Sequence, residues 1–413
     1  MEERSGWRSF AFLVAAQFTT VVNDNVFKQA VLLLAVGSAA ESDRQWLASL
    51  LFALPFLLFA SIGGDLADRY SKRRMVVIAK FADAAIMALA TLALAGGDPL
   101  FLSATLFLSG AESAFLGPAK YGIVPELVPR RRLPRANGIL QGSVLVGVIL
   151  GTAAAGPAVA NLDTCLWLIP LSLSLFALLG AAFALVIHPL PPADPARALT
   201  WNPLRPLAAG LRRSAATTGL LRSMLGCAVF WLAGGVALLS WNQLGPQLQV
   251  RDGLWSVGLA SLSLSLALGC LAAGRLSRAR LRADLIPLGG GLFALALVAA
   301  GLGPAQPSWL LVTLITGNFF AGLYLIPLQT LIQTLPPEQE RGRAQGTNQM
   351  LNWVFIIGAS LLKLAFDALD VPPQRMFALI GGIILAAALH MRPLSRFTAP
   401  LERSNPPSLT DLL

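Results

Sequence analysis

The chain has 413 residues, of which 55% are hydrophobic and only 13% charged, with a mean hydropathy of +0.67; soluble chains carry about 25% charge. A water-soluble enzyme is excluded at once, and because each bilayer crossing consumes roughly 20 apolar residues as a helix, about a dozen crossings leave no room for a large soluble domain. The net charge of +10 would suggest a nucleic-acid partner in a soluble protein, but its placement along this chain gives it another meaning.

Twelve apolar segments follow one another, at about 9–36, 45–62, 75–96, 99–120, 137–160, 164–187, 218–244, 254–274, 285–303, 307–331, 344–369 and 374–391. The chain is predicted to be an all-α polytopic membrane protein with twelve transmembrane helices. The first segment, from Ser9 to Val36, is too long for a secretory signal and is read as a retained span. If it starts in the cytoplasm, the cytoplasmic segments hold 23 Lys and Arg, and the opposite face holds three, Arg44, Arg251 and Arg375. That asymmetry predicts cytoplasmic N- and C-termini. Cys165, Cys227 and Cys270 lie in apolar runs without paired spacing, so they predict neither a disulfide framework nor a metal site. His188 and His390 sit at the ends of apolar runs, which leaves no material for a catalytic triad or a histidine-rich metal centre. No catalytic residue, metal or cofactor is expected.

The longest connection, 188–217, contains Pro189, Pro191, Pro192, Pro195, Pro203 and Pro206 together with Arg197, Arg205, Arg212 and Arg213. It is read as a cytoplasmic linker between an N-terminal six-helix half, 1–187, and a C-terminal half, 218–391, with 392–413 as a cytoplasmic tail. The two halves carry a repeat. Gly63 to Arg74 has a degenerate partner 206 residues later, in which Arg69 meets Arg275, Ser71 meets Ser277 and Lys72 meets Arg278. Arg135-Ala136-Asn137-Gly138 matches Arg343-Ala344-Gln345-Gly346 at an offset of 208. Two parallel six-helix repeats predict a substrate path between them near the bilayer midplane, with one half rocking against the other.

Gly64-x-Leu66-Ala67-Asp68-Arg69-x-Ser71-Lys72-Arg73 resembles the loop motif of the major facilitator superfamily between helices two and three, with Ser71 where a Gly is usual. The resemblance implies the major facilitator fold and a gating role for Gly64, Asp68, Arg69, Lys72 and Arg73. A carboxylate ending one helix and guanidinium groups beginning the next can pair across a cytoplasmic interface and unlatch as the halves rock. The same cations also serve as topology determinants.

Asn23-Asp24-Asn25-Val26-Phe27-Lys28-Gln29-Ala30, Gly117 to Leu127 and Ala136-Asn137-Gly138 resemble the lysophospholipid transporter family, and the first run leans toward members fused to acyltransferase and acyl-carrier-protein synthetase domains. The sequence carries no such domain before Leu413, so the resemblance implies that an acyltransferase or synthetase partner is supplied separately. Ile326-Pro327-Leu328-Gln329 and Asn348 to Asn352 match more loosely. The resemblance implies a flippase moving lysophospholipid, lysophosphatidylethanolamine in the first place, across a bacterial inner membrane toward the cytoplasmic leaflet for reacylation, by alternating access with lateral entry of the acyl chain.

Ionisable groups inside spans cost about 2.5 to 3.5 kcal/mol on insertion scales and are functional-site candidates. Asp24 lies roughly 24 Å along the first helix at 1.5 Å per residue, with Lys28 four residues on and on the same face. The pair either closes on itself and specifies packing, or Asp24 faces the cavity and holds a substrate ammonium or coupling cation, with Asn23 and Asn25 as neutral partners. Lys120 follows Gly117-Pro118 and either snorkels to the headgroups or meets a substrate phosphate, with the Tyr121 hydroxyl as a further donor. Glu112, two turns earlier, would complete a track from Asp24 to Lys120. Asp83 either joins that site or pairs with Lys80. In the second half, Asn242, Gln243, Asn318, Gln329, Asn348, Gln349 and Asn352 read as helix glue or binding groups, and Trp231, Phe230, Phe319 and Phe320 suit an acyl chain.

Two other functions compete. A proton-coupled exporter of hydrophobic drugs or siderophores would use Asp24 or Glu112 as its protonation site. A membrane-embedded acyltransferase would need a His and an Asp with four residues between them, but five lie between His188 and Asp194, and His390 has no Asp nearby.

Overall fold

The computed structural model of the chain describes residues 2–37, 45–96, 98–160, 168–196, 204–249, 252–277 and 280–398. Arg44, Cys165, Arg197, Arg251, Arg278 and the tail from 399 onward lie outside the described residues. Every regular element among the described residues is helical. The α-helices are α1 (Glu2–Gly37), α2 (Gln45–Arg69), α3 (Lys72–Gly96), α4 (Pro99–Leu127), α5 (Leu133–Ala160), α6 (Leu168–Leu185), α7 (Leu204–Ala216), α8 (Leu220–Gln247), α9 (Asp252–Leu276), α10 (Leu285–Leu302), α11 (Pro307–Thr334), α12 (Arg341–Ala368) and α13 (Pro373–His390), with three short 3-10 turns.

Ten of these helices are long and apolar enough to cross a membrane. Two more complete the predicted twelve. The apolar part of α6, Leu171–Leu185, is shorter, and α3 carries Lys72, Arg73, Arg74, Lys80 and Asp83 along an otherwise apolar helix. The remaining helix, α7, lies in the connection read from sequence as a Pro-rich linker. Its Leu207 and Leu211 are half-buried, while Arg212 and Arg213 are exposed, as befits an amphipathic helix outside the spans. Most helices extend past the apolar segments that predicted them. α2 runs to Arg69, α4 to Leu127 and α12 starts at Arg341, because polar ends stay hydrogen-bonded as helix where the chain leaves hydrocarbon.

The chain forms two compact units: Met1–Leu127 with Ser143–Gly210 and Glu338–Met350, and Val128–Gly142 with Leu211–Pro337 and Leu351–Leu413. In the first, α2 packs on α4, α3 on α4 and α6, and α1 on α6 and α4. Val26, Phe27, Ala84, Met87, Ala90, Leu106, Leu173 and Ala177 form one buried apolar cluster there. In the second unit, α10 packs on α13 and α11, α9 on α11, and α8 on α13. Cys270, Ala273, Leu323 and Ile326 join α9 to α11. Both cysteines among the described residues, Cys227 and Cys270, are free and buried, acting as small hydrophobes.

Candidate functional site

Polar residues on three helices of the first unit converge inside its apolar packing. Asp24 of α1 accepts hydrogen bonds from two hydroxyls of α4, Ser109 Oγ at 3.1 Å and Ser113 Oγ at 3.1 Å. Ser113 Oγ also lies 3.3 Å from Glu112 Oε2. On α3, Lys80 Nζ reaches Glu112 Oε1 at 3.6 Å and Asp83 Oδ2 at 4.0 Å, and donates to Thr20 Oγ1 of α1 at 2.5 Å. Thr20 donates in turn to Asp83 Oδ2 at 2.9 Å. Asp24, Lys80, Asp83 and Glu112 are all buried. Three carboxylates face one lysine in this set; Lys28 and Lys120, within electrostatic reach of Asp24 and of Asp24 and Glu112 respectively, supply the other cations, and hydroxyls of Thr20, Ser109 and Ser113 donate to the carboxylates.

The predicted residues distribute around this cluster. Lys28 lies 5.2 Å from the Phe52 ring centroid and within electrostatic reach of Asp24, while Asp24 takes its hydrogen bonds from the serines. Asn25 Nδ2 bonds back to the Val21 carbonyl at 2.7 Å, and Asn23 Nδ2 bonds to the Leu173 carbonyl of α6 at 2.8 Å, which ties α1 to α6. Lys120 is half-buried, stands 4.9 Å from the Tyr121 ring centroid and feels the charges of Lys80, Glu112 and Asp24. Lys80, read from sequence only as a partner for Asp83, is the cation at the centre of the cluster. Its signal was present: a lysine eight residues into α3 has no aqueous end within easy reach.

The second constellation is the motif from Gly64 to Arg73. The sequence places it in a loop, but Gly64 to Arg69 form the end of α2 and Lys72 and Arg73 begin α3. Asp68 is fully buried. Its Oδ1 accepts from the backbone N–H of Gly342 at 2.7 Å and its Oδ2 from that of Arg343 at 2.9 Å, at the start of α12, where helix amides lack internal partners. Asp65 Oδ1 receives Arg343 Nε at 3.1 Å. A β-carbon on Gly64 would lie 2.8 Å from the Gly342 carbonyl oxygen, so the close approach of α2 to α12 requires glycine there. Lys72 pairs with Glu126 of α4 at 2.6 Å. Arg73 donates to the carbonyls of Ile187 and Leu185 at the end of α6, at 3.1 and 2.9 Å. The Arg69 guanidinium lies 5.7 Å from the Tyr70 ring centroid.

The second unit has a neutral counterpart. A β-carbon on Gly274, the residue that replaces Asp68 in the repeat, would lie 2.8 Å from the Pro134 carbonyl oxygen. Three residues on from Pro134, Asn137 Nδ2 donates to Gln333 Oε1 at 2.7 Å, and Gln333 Nε2 returns a bond to Asn137 Oδ1 at 3.0 Å. Phe230 is buried with its ring 6.5 Å from that of Phe293, so it belongs to helix packing. Trp231, Phe319 and Phe320 are half-buried.

Twelve crossing helices, a buried zwitterionic cluster and helix ends latched by side chains define a membrane transporter. The Major Facilitator Superfamily profile matches residues 11–360, and the chain belongs to that superfamily. The lysophospholipid transporter LplT of Cronobacter sakazakii is 28% identical over 348 residues, 81% of each chain. That of Escherichia fergusonii is 28% identical over 341 residues, 80% of each. Among solved structures, the human organic anion transporter MFSD10 superposes with a TM-score of 0.77 at 16% identity, over 94% of this chain and 99% of that one. The Escherichia coli fucose:proton symporter FucP gives 0.72 at 17% identity, over 92% and 98%. At these identities the structural likeness shows the fold alone.

Proposed function

We propose that the chain transports lysophospholipid, with lysophosphatidylethanolamine as its principal cargo, toward the cytoplasmic leaflet of a bacterial inner membrane, where an acyltransferase or acyl-carrier-protein synthetase reacylates it. The observation that carries this reading is the mixed charge of the buried cluster. An ammonium-bearing headgroup finds carboxylates in Asp24 and Glu112, and its phosphate finds cations in Lys120 and Lys80. A purely apolar drug would gain nothing from desolvating such groups. The names of the LplT relatives support the same cargo.

In this reading the halves 1–187 and 218–391 rock about the cargo, with both termini cytoplasmic, and the motif from Gly64 to Arg73 is the gate. The acyl chain enters laterally between helices, past the aromatic groups of the second half. Purified protein in proteoliposomes, given labelled lysophosphatidylethanolamine, tests this. Movement of the lipid that stops with Asp24→Asn and Lys120→Gln supports the assignment. Movement indifferent to both substitutions would sink it. Proton-driven export of a hydrophobic dye without lysolipid movement would instead favour the exporter.

A further inference from the structure

Ser109, Ser113, Gly117 and Lys120 recur along α4 at intervals of three or four residues, so they share one face, and Glu112, three residues after Ser109, stands at its edge. Four of the five bring a polar side chain to that face or its edge. Gly117 brings none, and its place is filled from another helix: a β-carbon there would collide with the carboxamide of Gln349. Gln349 Oε1 is buried with no hydrogen-bond partner, while Glu112, 8% exposed, offers an Oε1 that has the Lys80 ammonium at 3.6 Å but no hydrogen bond. A buried acceptor left without a donor costs about 1–3 kcal/mol, and Gln349 Oε1 is such an acceptor, placed on this strip. Glu112 and Gly117 are about 7.5 Å apart along the helix at 1.5 Å per residue. A ligand bearing N–H donors would serve both acceptors.

Gln349 reaches this place through the latch. Gly342, Gly346 and Gln349 stand at i, i+4 and i+7 of α12, again one face. Gly342 gives its amide to Asp68, Gly346 packs on the Ala60 carbonyl and Gly64, and Gln349 lies on Gly117. All of these residues belong to the first unit. The segment that Asp68 holds is therefore the segment that carries Gln349 to the α4 strip.

We propose that Gln349 is a headgroup-binding residue, an acceptor that with Glu112 takes the N–H donors of a primary ammonium, and that it occupies the site only while Asp68 holds the start of α12. This rests on the lysophospholipid reading above and adds to it a residue, a headgroup preference and a link between gate and site. A quaternary choline headgroup has no N–H to donate, so Gln349 serves it poorly.

The test is uptake of labelled lysophosphatidylethanolamine and lysophosphatidylcholine into proteoliposomes carrying the full chain. Q349L is expected to raise KM for the ethanolamine lipid about tenfold, as loss of one hydrogen bond to a charged donor allows, with Vmax and the choline lipid little changed. Q349E keeps the acceptor oxygens and is expected to keep the ethanolamine KM within about threefold. G117A, which displaces the carboxamide without altering it, is expected to shift KM in the direction of Q349L and serves if Q349L is not monodisperse. D68N is expected to raise the same KM, and D68N/Q349L to be no worse in KM than D68N, since residues acting through one segment are non-additive. An unchanged ethanolamine KM in monodisperse Q349L and G117A overturns the role of Gln349. Full additivity with D68N overturns its dependence on the latch. Wild-type protein that moves neither lipid overturns the functional reading itself, and this inference with it.

Discussion

The carboxylate of Asp68 sits on the first amides of α12, with Oδ1 2.7 Å from the Gly342 nitrogen. It is fully buried and joins a residue of the motif to one 274 positions later. A carboxylate at a helix N-terminus gains from the unpaired amides and the helix dipole together. Asp68→Asn keeps the shape and one acceptor but loses the charge. Hydrogen bonds to charged groups contribute about 1.5–3 kcal/mol, so thermal unfolding in detergent should fall by several degrees. Hydrogen exchange at the Gly342 and Arg343 amides, which Asp68 accepts in the wild type, should become faster. Unchanged exchange would argue that the latch is held by its other contacts.

Gly64→Ala attacks the same junction by volume. Its β-carbon would meet the Gly342 carbonyl at 2.8 Å and the α-carbons of Arg343 and Gly346 at 3.2 Å, all backbone atoms with no rotamer to yield. Overpacking of this kind costs about 1–3 kcal/mol. On the function proposed above, the expected result is a purified protein whose lysolipid transport falls at least as far as that of Asp68→Asn. Full transport by Gly64→Ala would show that α2 and α12 need not approach so closely.

The twelve crossings, though not their ends, were legible because apolar runs of bilayer length have one helical solution. Asp24, Glu112 and Lys120 were legible for a related reason: charge is so scarce that each buried instance asks for an explanation. Two further things were not. Spacing along one helix says nothing of which helix stands opposite, so the sequence offers Lys28 as a partner for Asp24 but not Ser109 and Ser113, whose hydroxyls donate to it. And nothing in the motif told that Asp68 takes the amides of Gly342 and Arg343, because backbone amides at a helix start carry no mark in the sequence of a distant segment. The convergence of Lys80 on Glu112 likewise depends on how α3 meets α4.

Lys80 is the cluster's central cation, 1% exposed and within 4.0 Å of both Glu112 and Asp83. Lys80→Met leaves two buried carboxylates without it, and removing one partner of a buried ionic set costs about 3–5 kcal/mol. Adding Glu112→Gln and Asp83→Asn removes the excess charge and should restore much of the lost thermal stability without restoring transport. Lys80→Met alone unfolding at the wild-type temperature would contradict the central place given to this residue.

Asn137 and Gln333 exchange two hydrogen bonds, at 2.7 and 3.0 Å, and both are buried. Because both partners are neutral, ionic strength should leave their coupling alone, unlike that of exposed charges. A double-mutant cycle of Asn137→Ala and Gln333→Ala should give an interaction energy of about 1 kcal/mol, equal in low and high salt. The Asp65–Arg343 pair, with Arg343 partly exposed, should give a smaller coupling at high salt. Equal salt sensitivity of the two pairs would remove the distinction between a charged and a neutral latch.

Asp284 lies outside the spans, just ahead of α10, and its link to Arg282 is bidentate, at 2.8 and 2.6 Å. Its backbone N–H also donates to Thr398 Oγ1 at 3.0 Å, which fastens the end of the described chain to the start of α10. The Arg282 guanidinium holds the Asp284 carboxyl below its ordinary value, and Thr398 adds to the effect. A depressed carboxyl favours the folded state where it is ionised. Its contribution is therefore complete above the unfolded value of about 3.9 and is lost as pH falls through the lower folded value. Because the pair is 28% and 40% exposed, solvent screening keeps the contribution below about 1 kcal/mol. Thermal unfolding of wild type and Asp284→Asn, followed from pH 7 to pH 3, should show a small constant gap above about pH 5 that closes below about pH 4. A gap undiminished at pH 3 would mean that Asp284 acts through packing and its backbone bond to Thr398, with no part played by its charge.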